Sequence, residues 1–174
     1  MRNYLFLALC IGLPLAGTAI AQQTPAPIPS PAATTPAAPP PDYGPPITNE
    51  QMKSVAGAAF AEAKKNNWRM AFTIMGPAGE LVYFEKMDGA QLASTEISQA
   101  KARTAVMYRR PTKAFADQFA AGNTAFTTFP DRPVASEGGV PIVVNGKIVG
   151  AIGVSGGTGQ QDGSTAAAGA GAAR

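Results

Sequence analysis

Apolar side chains recur along the first half of the chain with two different periods. After residues 48–51, which have the form of a capping box, they fall at the three- and four-residue spacing of one helical face. This pattern predicts a first helix that ends near Lys65. Residues 69–75 and 80–87 are instead rich in β-branched, aromatic and large apolar side chains, and residues 76–79 form a turn sequence between them. These two segments predict a first hairpin.

Two further helices are predicted after this hairpin. Residues 94–108 form the longer one, with Ser94 as its expected cap, and residues 112–121 form the shorter one. Lys101 falls inside the expected inward stripe of the longer helix, where a lysine either extends to the rim or faces a pocket. The rest of this expected stripe consists of Ile97, Ala100, Thr104, Ala105 and Tyr108.

A long irregular segment, residues 122–139, follows the shorter helix. It is longer than the roughly 12–15 residues beyond which loops in compact domains tend to be functional or disordered. Phe126 and Phe129 give the segment apolar anchors, so we expect an ordered loop that lies over the domain, a position suited to a lid. A short extra strand near Val134 is also compatible with this sequence.

A second hairpin is predicted near the carboxyl end. Asn145 and Gly146 lie between two β-branched runs, residues 142–144 and 147–154, and this dipeptide favours a type I′ turn. The small residues 155–157 follow, and they let the backbone bend and expose N–H groups where a ligand could approach. A plain strand-to-helix turn is the alternative for these residues.

The order of the predicted elements indicates an α+β fold, an antiparallel sheet of about five strands flanked by helices. The last strand has one face that carries Ile148, Ile152 and Val154. Its other face is made of small side chains and should let a helix or another subunit pack closely. A final helix over residues 163–172, interrupted by glycines, is expected to be capped by Asp162.

The first 46 residues differ in composition from the rest of the chain. Residues 1–21 combine a short basic start, an apolar run and a small-residue end, which is typical of a secretory signal peptide cleaved after Ala21. Residues 22–46 are rich in Pro, Ala and Thr and predict an extended tether. Residues 47–174 then form one domain. We therefore expect a periplasmic or secreted protein with no stable membrane span after cleavage.

After the predicted cleavage the mature chain has neither cysteine nor histidine, and this restricts the chemistry of any site. Cys10 is the only cysteine and lies in the predicted signal peptide, and the chain has no histidine. These absences exclude Ser-His-Asp and Cys-His catalysis, zinc sites built on His or Cys, and haem held by a histidine of this chain. The net charge of +3 predicts no strong field for nucleic acid.

Several motifs occur in a characteristic order after an Ala-rich first helix. They are Gly76-Pro77-Ala78-Gly79, Met87-Asp88-Gly89-Ala90, Lys101-Ala102-Arg103-Thr104-Ala105, Gly138-Gly139-Val140-Pro141, residues 150–157 and Gln161-Asp162. In this order the chain resembles the GlcG/HbpS-like family, also called the haem-degrading domain family, which includes a domain at the carboxyl end of certain corrinoid adenosyltransferases. The resemblance extends over residues 47–174.

The resemblance implies a profilin-like sheet with helices on its faces, assembly into a homo-oligomer, and haem or another tetrapyrrole as the ligand. It does not settle whether a reaction is catalysed. Some relatives hold the haem iron through a histidine, which this chain lacks. Methionine, tyrosine, lysine or a hydroxyl would have to take that role, or the porphyrin would bind without a strong protein ligand.

An extracytoplasmic haem-binding or tetrapyrrole-binding protein is the first functional hypothesis. A planar apolar ligand with two propionates needs an apolar slot and cationic side chains. The candidate cations are Lys101, Arg103, Arg109 and Arg110, and the candidate slot residues are Met107, Phe126 and Phe129. A solvated basic face is the alternative for the cations.

A small-molecule enzyme or binding protein, acting on an organic acid, is the second hypothesis. Glu137 would be the general base, and Lys101 would neutralise the carboxylate of the ligand. Backbone N–H groups that would hold the anion belong to Gly138, Gly139, Ser155, Gly156 and Gly157. Glu137 as a plain turn residue is the alternative. In a third hypothesis the domain only assembles, and the tether presents the multimer at a surface.

Overall fold

The computed structural model of the protein describes residues 39–174. The predicted signal peptide and most of the predicted tether lie outside these residues. In the described part, no helix is long and apolar enough to cross a membrane. The end of the predicted tether runs beside the last strand, where the N–H of Gly44 donates to the carbonyl of Ile148 (2.8 Å) and the N–H of Ile148 donates to the carbonyl of Asp42 (2.8 Å).

Between residues 39 and 174 the chain forms four α-helices and one four-stranded antiparallel sheet. In chain order the elements are α1 Asn49–Lys65, β1 Ala71–Met75, β2 Leu81–Lys86, α2 Ser94–Tyr108, α3 Lys113–Ala120, β3 Gly139–Val144, β4 Lys147–Ser155 and α4 Gly159–Ala170. A short 3-10 helix, Ala125–Thr128, lies between α3 and β3. The strand order β2-β1-β4-β3 confirms the predicted α+β class.

The sheet lacks the extra strand considered near Val134. Residue 134 lies outside any strand, and its N–H donates to Thr104 Oγ1 of α2 (3.1 Å). The expectation of about five strands is therefore wrong by one. The predicted turn of the second hairpin is present, with φ of 50° at Asn145 and 74° at Gly146, as a type I′ turn requires.

Helices cover both faces of the sheet. α1 and α4 pack on one face, where the large core side chains of β1 and β4 meet the small residues of α1. These strand residues are Phe72, Ile74, Ile152 and Val154. α2 packs on the other face against a smaller cluster that includes Met75 and Ala151.

The close approach of α2 to β4 follows from Gly153. A Cβ at Gly153 would collide with the carbonyl oxygen of Ser98 and the amide nitrogen of Ala102, both in α2. The small face expected from the sequence is thus the face on which a helix packs.

A register shift in the β3–β4 pairing, where Ile142 opposes Gly150 and Val143 opposes Ile148, exchanges the expected faces of two residues. Ile148 joins the α2 cluster, and Val149 joins the opposite core.

Two predicted caps are wrong, and one predicted stripe is right only in part, since its Lys101, Thr104 and Ala105 are buried as expected. Ser94 is the first residue of α2 and makes no cap bond, and its hydroxyl is instead 3.3 Å from that of Ser155. Thr158 caps α4 in a capping box with Gln161, so Asp162 falls in the first turn. The inward face of α2 is rotated by about one residue from the expected stripe. Ile97 is consequently exposed, and the buried residues are Ser94, Ser98, Lys101, Ala102, Thr104, Ala105 and Val106.

Candidate functional site

Lys101 lies in the interior between α2, β4 and α4, and its residue surface is 1% exposed. Its Nζ donates to Asp162 Oδ2 (2.7 Å) and to the carbonyl of Val154 (3.2 Å). The other carboxylate oxygen of Asp162 accepts from the N–H of Gly157 (2.9 Å). Neither expected position for Lys101 is found, since the side chain reaches neither a rim nor a pocket. It forms a buried ion pair that ties three elements together.

The surroundings of this ion pair are closely packed. Burial raises the pKa of Asp162, while the hydrogen bonds from Lys101 and the N–H of Gly157 act in the opposite direction. A Cβ at Gly138 would lie 2.9 Å from Lys101 Nζ and 2.8 Å from Asp162 Cβ. Gly138 has φ of 122°, a conformation that favours glycine. This region has the packing of a protein core.

Two of the predicted anion-binding N–H groups already have partners. The N–H of Gly139 donates to Thr112 Oγ1 (2.9 Å), and that of Gly157 donates to Asp162. A Cβ at Gly156 would collide with the carbonyl oxygen of Arg69, so this glycine permits a close backbone contact. Ser155 is buried against Ser94. The glycine-rich run therefore serves the packing of the end of β4 against α4 and against the residues that precede β1.

Glu137 precedes β3 and packs against the first turn of α4, and it lines none of the clefts found among residues 39–174. Its carboxylate is 3.6 Å from Lys113 Nζ, which is also 2.7 Å from Asp117. A Cβ at Gly163 would lie 2.9 Å from Glu137 Oε2, so the carboxylate rests on the glycine side of α4. A role of Glu137 as general base stays a prediction, and this geometry gives it no support.

The predicted basic cluster is divided among different neighbours. The guanidinium of Arg109 is 3.3 Å from Asp42 Oδ1 and lies over the ring of Tyr43 at 5.8 Å, so it anchors the end of the predicted tether. Arg103 is exposed and lines a small cleft of about 60 Å³ with Met107. These two arginines and Lys101 do not converge on one site.

Phe126 and Phe129 do meet in a cleft, together with residues of α2 and α3. Tyr108 stacks with Phe129 at 6.3 Å between ring centroids, and Phe115 contacts Phe126 edge-on at 5.4 Å. Arg110 lies over the ring of Phe115 at 6.0 Å. The cleft has a volume of about 330 Å³, and we call it the aromatic cleft. It is the part of the sequence-predicted site that the structure brings together.

A larger opening, which was not predicted from the sequence, lies between α1 and β2. Two clefts of about 480 and 300 Å³ share Phe60 and Glu85, and we call them together the α1–β2 groove. Its aromatic and apolar walls come from Phe60, Trp68 and Met87. Its ionisable lining residues are Lys53, Lys64, Arg69, Tyr83, Glu85, Lys86 and Asp88.

The hairpin register explains why the groove forms. The N–H of Met87 donates to the carbonyl of Met70 (2.9 Å), so the residues before β1 lie beside those after β2. The residues that follow α1, including Trp68, are thereby placed against Met87. Gly57 leaves open space on α1, since a Cβ there would meet nothing within 4 Å. A sequence signal was present, because Trp68 precedes the first predicted strand and Met87 ends the second, and a hairpin brings these two positions together.

The electrostatics of the groove differ from those of the buried pair. Lys53, Lys64, Arg69 and Lys86 form no ion pair with any other residue between 39 and 174. The hydroxyl of Tyr83 donates to Glu85. Burial, followed by the hydrogen bond and charge of Glu85, raises the pKa of Tyr83 to about 12. Among residues 39–174 there is no group of three or more His, Cys, Asp or Glu side chains placed to hold a metal ion.

These observations define an α+β protein with an antiparallel sheet between helices and a cationic, aromatic groove beside an edge strand. Residues 47–171 match the family described as haem degrading protein HbpS-like, and the chain belongs to this family.

Three relatives illustrate the similarity. The chain is 44% identical over 110 residues to the protein GlcG of Escherichia coli K12, a match that covers 63% of this chain and 81% of GlcG. The crystal structure of a double mutant of HbpS from Streptomyces reticuli has 30% identity and a TM-score of 0.66, with 81% of this chain and 97% of that chain covered. A crystal structure of a complex of PduOC with haem has 24% identity and a TM-score of 0.68, with 73% and 94% covered, and it shows likeness of fold alone.

Proposed function

We propose that this protein binds haem or a related tetrapyrrole outside the cytoplasm, and that the α1–β2 groove is the binding site. Membership of the HbpS-like family supports the ligand class. The sequence of residues 1–21 supports the location outside the cytoplasm. The observation that carries the choice of site is the combination of aromatic walls with cations that have no carboxylate partner within residues 39–174.

The lining of the groove fits the chemistry of a tetrapyrrole. Phe60 and Trp68 offer apolar aromatic surface to a planar macrocycle. Lys64, Arg69 and Lys86 can bind the two propionates through charge-assisted hydrogen bonds. The larger cleft alone, at about 480 Å³, lies within the usual range of ligand sites, and the adjoining cleft extends it. A bound haem would supply a redox-active iron to this site.

The aromatic cleft fits the same ligand less well. Its volume of about 330 Å³ is smaller, and Arg110 is the cation among its lining residues. Its Phe126 is buried, so less of its aromatic surface can contact a ligand. The aromatic cleft therefore serves as the competing site in the experiment below.

Homo-oligomer formation is a further part of the proposal. Several large apolar side chains are exposed on β2 and around the start of α2, and Leu92 is 86% exposed. The others are Leu81, Phe84 and Ile97. Exposed apolar surface of this kind is typical of contacts between subunits when it is contiguous.

The test is a titration of the mature protein, residues 22–174, with ferric haem, followed by the Soret band against a buffer blank. The wild type should show a saturable shift near one haem per subunit. Arg69→Glu should weaken the affinity about tenfold or more, because it places a carboxylate beside the propionates. Lys101→Glu is unsuitable as a probe, since it would disrupt the buried ion pair.

Two matched charge reversals complete the design. Lys65→Glu changes an exposed lysine next to the groove but outside its lining, and it should leave the affinity unchanged. Arg110→Glu tests the aromatic cleft. If Arg110→Glu weakens binding and Arg69→Glu does not, the groove is the wrong site. A non-saturating rise with the wild type would reject haem binding itself.

A further inference from the structure

The α1–β2 groove contains a sulfur donor as well as aromatic and cationic groups. We infer that the thioether of Met87 is the protein ligand to the iron of a bound haem. This inference rests on the proposed function. It assigns the iron ligand in a chain that has no histidine.

Met87 is held in place by its backbone and by packing. It directly follows β2, and its N–H donates to the carbonyl of Met70 (2.9 Å). Its half-buried side chain packs against the core cluster and also lines the groove beside Trp68. Because this packing already restricts the side chain, coordination of iron by its sulfur would cost little further conformational entropy.

Tyr83 and the lysines of the groove are less suited to the iron at neutral pH. Tyr83 would have to lose its proton, and its hydroxyl is engaged with Glu85, which helps to raise the pKa of Tyr83 to about 12. The lysine ammonium groups would also have to lose a proton before they could coordinate. A thioether is neutral at every pH and is an established axial ligand of haem iron.

The inference has a redox consequence. Methionine ligation raises the reduction potential of haem iron, because the soft thioether favours the ferrous state. The bound haem should therefore have a higher reduction potential with Met87 than with a leucine in its place. Leucine has a similar volume, so the wall of the groove stays filled in the variant.

The experiment compares Met87→Leu with Met107→Leu in the protein produced from the full-length sequence. Met107, predicted from the sequence as a slot residue, lies on the exposed side of α2 in a separate small cleft, so it is the matched control for a site in the groove. Each protein is titrated with haem and, separately, with metal-free protoporphyrin IX. The reduction potential and the sulfur-to-iron charge-transfer absorption of the haem complex are then measured.

The expected result is specific to iron. Met87→Leu should weaken haem binding about tenfold, lower the reduction potential and remove the charge-transfer absorption, while Met107→Leu changes none of these. Protoporphyrin IX has no iron, so its affinity should be the same in both variants and the wild type.

Three other outcomes overturn the inference in different ways. An unchanged spectrum and potential in Met87→Leu means that Met87 is not the ligand, while the proposed haem binding stands. An equal loss of haem and protoporphyrin affinity makes Met87 a wall residue that does not reach the iron. Absence of saturable binding of either compound by the wild type rejects the proposed function together with the inference.

Discussion

The buried ion pair of Lys101 and Asp162 and the α1–β2 groove use the same residue types in opposite ways. The pair lies at 2.7 Å in the interior, and each of its charged groups has further partners within the chain. In the groove, four cations line an opening and have no ion-pair partner between residues 39 and 174. A lysine within an apolar pattern is thus part of the scaffold here, whereas the cations beside the partly buried aromatic rings of the groove form the proposed binding surface.

Removal of one partner of the buried pair should give the largest effect on stability. Lys101→Met leaves Asp162 without its ammonium partner in the interior, which should lower the free energy of unfolding by about 3–5 kcal/mol. The measurement is urea unfolding of the variant and the wild type.

Two companion variants sharpen this prediction. Lys113→Met removes an exposed ammonium that pairs with Asp117 and Glu137, and it should lower the free energy of unfolding far less than Lys101→Met does. The double variant Lys101→Met with Asp162→Leu should recover part of the stability lost, because no unpaired charge is then buried. A loss for Lys101→Met as small as for Lys113→Met would contradict the scaffold role of the pair.

Glycine substitutions should give a smaller effect that separates the closely packed interior from the groove. Gly153→Ala should lower the free energy of unfolding by about 1–3 kcal/mol, because its Cβ would collide with Ser98 and Ala102 of α2. Gly57→Ala, on the groove side of α1, should raise it by about 0.5–1 kcal/mol, because alanine favours the helix and the added Cβ meets open space. Thermal unfolding of both variants tests whether Gly153→Ala lowers the free energy of unfolding and Gly57→Ala raises it. Equal destabilisation by the two would show that α1 tolerates no added side chain at the groove.

Local chemistry made most of the fold predictable. The capping box at Thr48 and Gln51 sets the start of α1, and Asn145 and Gly146 set the second hairpin. These features depend on residues within a few positions of one another. The exchange of faces by Ile148 and Val149 was not predictable, since the register shift arises from pairing with β3.

The candidate site was predictable only in part. The loop aromatics Phe126 and Phe129 do lie together, because each has apolar neighbours on α2 or α3. The partner of Lys101 is 61 residues away on α4, and nothing near Lys101 in the sequence indicates it. The α1–β2 groove combines residues from α1, its following turn and the end of β2. Such a surface exists only once the hairpin register has placed these segments side by side.

Tetrapyrrole binding in the α1–β2 groove can be tested directly at the side chain of Trp68. It is the only tryptophan of the chain and lines the α1–β2 groove, so its indole N–H gives one isolated signal in a nitrogen–proton correlation spectrum. Titration with zinc protoporphyrin, which is diamagnetic, should move this signal strongly, because the ring current of a macrocycle acts only at short range. A stationary Trp68 signal, with shifts confined to the residues of the aromatic cleft, would contradict tetrapyrrole binding in the groove.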